Sequence, residues 1–134
     1  MLSSSVLIID EGRYVLFRDR KTLKYTDCGG SIEWGEDIFR TASRELFEET
    51  CKVIFVPPKE IMMLDRFTFD THTTFILRKK FDEEEYHHNL KLYKEKVFQE
   101  NDEVVKVKNL EGISLKYPHF MENINDFLVS NKIL

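Results

Sequence analysis

GGSIEWGEDIFRTASRELFEETCK, residues 29–52, holds the strongest pattern in the chain. From Asp37 to about Thr50 its apolar residues recur at helical spacing, with Phe39, Ala42, Leu46 and Phe47 on one broad arc. Asp37 suits the N-cap, where a short side-chain oxygen satisfies a free backbone N–H. On the same wheel Glu45, Glu48 and Glu49 span about 100°, directly beside the apolar arc. They therefore avoid the far, solvated face. Like charges three and four residues apart repel by roughly 0.2–0.5 kcal/mol per pair on an exposed helix. At a partly buried site the cost grows, since two charges about 4 Å apart interact by about 4 kcal/mol at an effective dielectric of about 20.

An arbitrary acidic cluster is usually a solvated helix face, but this one borders the core and asks for a cation. Arg44 precedes Glu45 and stands four residues before Glu48, so it can orient either. One arginine does not neutralise three glutamates. A hard divalent ion that prefers oxygen ligands, Mg²⁺ or Mn²⁺, does. Upstream, Gly29-Gly30 reads as a turn that lets the backbone come close to an ion or ligand, because no Cβ intervenes.

Around this helix the chain has an α/β pattern. Its 134 residues suit one domain, 1–134, and eleven phenylalanines, five tyrosines and one tryptophan suffice for a sizeable core. A net charge of −4 gives no bulk attraction to nucleic acid or acidic membrane. The start, MLSSSVLIIDEGR, lacks the basic region and long apolar run of a secretory leader, and no stretch reaches the length of a membrane span. Cys28 and Cys51 then read as reduced thiols of a cytoplasmic protein with no membrane partner. SSVLIID and RYVLFRD, parted by Asp10-Glu11-Gly12, predict a β-hairpin. Residues 21–27 read as a loop. KVIFV, ended by Pro57-Pro58, reads as a strand, as do IMMLDRFTF, HTTFILRKKF and EVVKVKNL. DEEEYHHNLKLYKEKVF carries Tyr86, Leu90, Tyr93 and Val97 at helical spacing and reads as a short surface helix or ordered insertion. His87-His88 within it reads as a solvated pair, and the four histidines show no zinc spacing. The last segment is an amphipathic helix, opened by Pro118 and buried through Phe120, Ile124, Phe127 and Leu128.

Residues 30–52 resemble the signature of the Nudix hydrolases, G-x5-E-x7-R-E-U-x-E-E-x-G-U, with U a bulky aliphatic. Gly30, Glu36, Arg44, Glu45, Leu46, Glu48 and Glu49 match seven of its nine defined positions at the correct spacing. Val15 to Arg20 is similar to the family's first long strand, and Tyr25 to Gly30 to its W-x-x-P-G-G segment, with Cys28 in place of the proline. Two positions depart: Cys51 replaces the closing glycine and Lys52 the aliphatic. The glycine usually caps the helix in a left-handed conformation, so cysteine there costs about 1 kcal/mol or reshapes the turn.

The resemblance implies an α/β/α sandwich with a mixed sheet, flanked by the signature helix and the C-terminal helix. It implies hydrolysis of a nucleoside diphosphate linked to another moiety. In that scheme Glu45, Glu48, Glu49 and the Gly30 carbonyl hold Mg²⁺ or Mn²⁺, Arg44 orients a glutamate, and Glu36 braces the loop against the helix. Glu48 or Glu45 is the general base. A later acid, Glu103 with Glu100 and Asp102 nearby, is the other candidate. Arg20, Tyr25 and Trp34 are candidate substrate contacts: Arg20 for phosphate, Trp34 for stacking on a base. The marks of the ADP-ribose, dinucleoside-polyphosphate, diphosphoinositol and NADH subgroups are absent. A nucleoside or deoxynucleoside triphosphate is then the modest favourite, with an RNA cap as another substrate class. Many relatives form homodimers. The reading from another class is a Nudix-fold binding module without catalysis. Such modules usually lose signature glutamates, and all four are present here.

Overall fold

The computed structural model describes residues 2–93 and 100–134. Val97, placed above on the apolar stripe of the charged segment, lies outside them. Strand β1 (Ser3–Asp10) is almost wholly buried because both its faces are covered. Its alternation divides the core. Val6 and Ile8 face a cluster with Ala42 and Leu46, whereas Leu7 and Ile9 face one with Met121, Ile124 and Leu128. Helix α1 (Ile38–Glu49) supplies the first pair and the C-terminal helix α4 (Pro118–Ser130) the second trio. The result is a mixed sheet between two helical layers.

The predicted hairpin joins β1 to β2 (Arg13–Asp19), with Asp10 opposite Arg13. Glu11 and Gly12 both take positive φ, 50° and 77°, as a tight two-residue turn demands. Two short strands follow, β3 (Tyr25–Thr26) on β2 and β4 (Cys28–Ser31) on β1. The Gly29-Gly30 turn expected from sequence is thus a strand, antiparallel to Ser3–Val6. Its glycines serve close approach: a Cβ on Gly29 would lie 2.8 Å from the Ser4 carbonyl oxygen and 2.9 Å from Ser5 Cα. Asp37 caps α1, its carboxylate accepting from the Arg40 N–H at 2.8 Å.

KVIFV is not a strand. Ile54 and Val56 are buried and Phe55 is exposed, but the backbone joins no ladder. Its polar groups go to α1 instead, with the Ile54 N–H donating to Thr50 Oγ1 and Ser43 Oγ donating to the Val56 carbonyl. Alternation here reports packing without pairing. IMMLDRFTF divides. Its first residue ends the single turn α2 (Pro58–Ile61), with proline in its first turn, and strand β5 starts only at Asp65 and runs to Phe69. Strand β6 (His72–Arg78) pairs with β5 and lies parallel to β1. The charged segment forms α3 (Glu83–Tyr93), and β7 (Asn101–Val107) closes on β2. His87 is not a free solvated residue: Nε2 lies 2.8 Å from Glu103 and Nδ1 2.8 Å from the Glu83 carbonyl. Among the described residues no helix is long and apolar enough to cross a membrane.

The end of α1 carries the two departures from the signature. Cys51 and Lys52 both adopt positive φ, 54° and 67°. The Lys52 N–H donates to the Phe47 carbonyl at 2.8 Å and the Cys51 N–H to Glu48 at 3.1 Å, which is the Schellman pattern built without glycine. Helix α3 holds it. Asn89 Nδ2 donates to the Cys51 carbonyl at 2.8 Å, and Lys52 Nζ sits 4.2 Å from the centre of the Tyr93 ring.

Candidate active site

Helix α1 packs on β1 and β4 and carries its carboxylates to the β4 edge. Glu49 is buried and accepts from the Gly29 N–H at 2.8 Å. The Glu45 side chain is 13% exposed and lies against Gly30, where an added Cβ would come within 2.8 Å of its Cδ. Glu48 stands at the open rim, 56% exposed. Arg44 joins these to the preceding loop. Its Nε and Nη2 grip Glu36 at 2.7 and 3.0 Å, and its Nη1 lies 3.0 Å from Glu45 and 3.4 Å from Glu48. Glu36 also accepts from the Thr41 hydroxyl and the Glu33 N–H. It therefore ties the loop to the first and second turns of α1.

Burial pushes the Glu45, Glu48 and Glu49 carboxyls up, Glu49 furthest. Arg44 opposes this at Glu45 and Glu48, while Glu45 adds to it at Glu49. Glu36 goes the other way, held at about 2 chiefly by its hydrogen bonds to Arg44. Among the described residues no three acidic, histidine or cysteine side chains already converge as a metal nest. Glu49 is turned to Gly29, and Glu45 and Glu48 to Arg44. The donor set still fits a hard divalent ion. Glu45 and Glu48 share one arginine, Glu45 and Glu49 are largely withdrawn from water, and the missing Cβ of Gly30 leaves room for the Glu45 carboxylate.

Beside these carboxylates opens a cavity of about 340 Å³, lined by residues that include Gly30, Glu49, Glu100, Asp27, His72 and Phe120. Burial raises the Asp27 carboxyl against the opposing Ser5 hydroxyl, and lowers His72. At one wall Lys116 Nζ pairs with Asp19 at 2.8 Å and draws its pKa down to about 2.

The other expected contacts fall elsewhere. Trp34 is fully exposed on the loop before α1. Arg20 is exposed after β2, and Tyr25 packs partly buried against the α4-side core. None of the three lines the cavity. Glu103 is bonded to His87, and Asp102 to Arg18 at 2.9 Å, whereas Glu100 lines the cavity. Asp27, His72, Glu100, Lys116 and Phe120 went unmarked as functional candidates or stayed secondary. One usable signal was Ser3 and Ser5, polar in the same strand phase as Leu7 and Ile9.

Residues 1–122 match the family model described as NUDIX domain. No curated protein sequence is significantly similar to the chain. Among solved structures, a MutT protein from Methanosarcina mazei Go1 superposes with a TM-score of 0.62 at 20% identity, over 98% of this chain and 95% of that one. An Ap4A hydrolase of C. elegans, solved as a binary complex, gives 0.60 at 14% identity, over 96% and 98%. A bifunctional NMN adenylyltransferase/ADP ribose pyrophosphatase from Francisella tularensis, complexed with AMP and a Mn ion, gives 0.63 at 15% identity, over 97% of this chain and 41% of that one. At such identities the likeness is one of fold. The family model adds sequence to it across most of the chain, and the chain belongs to the Nudix family, hydrolases that act on phosphoric anhydrides.

Proposed function

We propose that this is a pyrophosphohydrolase dependent on Mg²⁺ or Mn²⁺, cleaving a nucleoside diphosphate linked to another moiety, with a (d)NTP as favoured substrate. The observation that carries the reading is the row of Glu45, Glu48 and Glu49 on α1, with Glu45 against Gly30 and Glu49 lining the cavity. These side chains and the Gly30 carbonyl would hold the ion. When bound, it neutralises pyrophosphate charge and lowers the pKa of the attacking water. Glu48, 56% exposed and meeting Arg44 at 3.4 Å, is the candidate among the three to take a proton. Arg44 and Glu36 fix the orientation of the glutamates. Of the acids around the start of β7, Glu100 has the better position for a second base, because Glu103 is engaged by His87. The bifunctional Francisella protein, 41% of which this chain matches, was solved with AMP and a Mn ion, in keeping with a nucleotide and a divalent ion here. The two buried free thiols suit the reducing cytoplasm.

The test is metal-dependent hydrolysis over a panel of ordinary and oxidised (d)NTPs, nucleotide sugars, ADP-ribose, dinucleoside polyphosphates and capped RNA, with products identified by mass. Glu48→Gln should lower turnover roughly 10²–10⁴-fold and leave the fold intact. Silence of the folded wild-type protein across the panel would favour a binding module.

A further inference from the structure

The α4 face of the sheet changes character along its strands. Leu7 and Ile9 of β1 and Ile76 of β6 belong to the core there. Ser3 and Ser5, in phase with the first two, and His72 and Thr74, in phase with Ile76, are polar. The parallel register sets Ser3 beside His72 and Ser5 beside Thr74. Ser5 and Thr74 are fully buried. A fold alone is better served by apolar groups at such positions, since every buried polar atom must find a partner.

The partners found here run in one direction. Ser5 Oγ donates to Asp27 Oδ2 at 2.7 Å. Its lone pairs are then left for His72 Nε2–H at 2.9 Å and the Thr74 hydroxyl at 2.8 Å. With Nε2 protonated, His72 Nδ1 accepts from Ser3 Oγ at 2.6 Å. One neutral imidazole tautomer satisfies the whole set, and the donors point from Ser3 through His72 and Ser5 to Asp27. Thr26 Oγ1 donates to the other oxygen, Oδ1, at 3.3 Å. Both carboxyl oxygens therefore face hydroxyl donors and act as acceptors. Asp27, Ser3 and His72 all line the cavity, as do the aromatic rings of Phe120 and Tyr117.

We infer that Asp27 is a specificity-determining residue, and that it reads the edge of a base presenting two adjacent N–H donors, as guanine does with its ring N1–H and 2-amino group. A carboxylate offers two acceptors side by side, the converse of an arginine fork. Adenine and cytosine place a ring-nitrogen acceptor next to their amino group, and uracil and thymine flank their N–H with carbonyls. Each of these sets a lone pair against a carboxylate oxygen. The aromatic rings supply faces for stacking. The inference rests on the pyrophosphohydrolase reading, because the cavity is shared with Glu49, Gly30 and Glu100.

The experiment compares wild type, Asp27→Asn and Ser5→Ala. One measurement is kcat/KM on GTP, ATP, CTP and UTP with Mg²⁺. The other, independent of turnover, is the shift in thermal midpoint caused by GMP, AMP, CMP and UMP without metal. Wild type should prefer guanine by roughly 10–100-fold, the discrimination of one bidentate pair. A side-chain amide in place of the carboxylate offers one donor and one acceptor, so D27N should lose that preference, read as the ratio of kcat/KM for GTP to that for each other nucleotide. S5A should move the same way by less, and it carries the test if D27N does not fold. A variant that keeps the wild-type order of bases, or equal protection of wild type by all four monophosphates, overturns the inference. Absent turnover with selective protection by GMP would remove the hydrolase reading alone.

Discussion

At Gly30 an added Cβ would meet only the far end of the Glu45 side chain, whereas at Gly29 it would meet Ser5 Cβ and the backbone of Ser4 and Ser5. The same substitution at neighbouring positions should then separate function from folding. Gly30→Ala leaves room for the chain but displaces a carboxylate, so turnover should fall roughly 10–100-fold, with the urea midpoint nearly unchanged. Gly29→Ala forces β4 away from β1 and should destabilise by about 1–3 kcal/mol, read in the same denaturation curve. Glu36, Arg44 and the three glutamates were legible in the sequence because a short helix and its loop set their spacing. The cavity wall was not. Asp27 sits between β3 and β4, His72 opens β6 and Lys116 lies in the loop before α4, and only the folded chain brings them together. At Glu103, the sequence position near Glu100 could not say which of the two would be engaged by a histidine from α3.

Helix α1 ends on two residues with positive φ, neither of them glycine. Such a cap needs support from outside the helix, and α3 gives it through Asn89. Asn89→Ala removes one hydrogen bond to the Cys51 carbonyl and should cost about 0.5–1.5 kcal/mol by equilibrium unfolding. An unchanged midpoint would mean that the cap stands alone. Elements with a strong period, α1 and α4, were readable from the chain, as were β1, β2, β6 and β7. KVIFV failed because alternation records which side chains are buried, and a loop pinned by Ser43 and Thr50 buries Ile54 and Val56 equally well. The Gly-Gly pair failed because close approach and turning ask for the same residue.

Over the whole molecule, ionisation pulls stability in two directions. Asp19, held at about 2 by Lys116, contributes stability that is complete above its ordinary 3.8 and is lost as pH falls through 3.8 toward 2. Lys116→Gln should make that acid loss shallower. Glu45 and Glu49 have raised pKa values and so act with the opposite sign, destabilising the metal-free protein once the pH exceeds the ordinary 4.5 of a glutamate. The thermal midpoint without metal should therefore climb as pH falls from 7 toward 5, and added Mg²⁺ should raise it most at pH 7. A midpoint at pH 7 indifferent to Mg²⁺ would count against a cation among these carboxylates. The placement of β1 at the centre of the sheet also bears on how the chain is assembled. Its hairpin partner follows at once, and β4 completes that edge by Ser31, but the opposite edge waits for β6 and residue 78. Until more than half the sequence has been synthesised, the most apolar strand of the protein keeps an open row of backbone donors and acceptors. The growing polypeptide is thus most exposed to pairing with a stranger midway through its own translation.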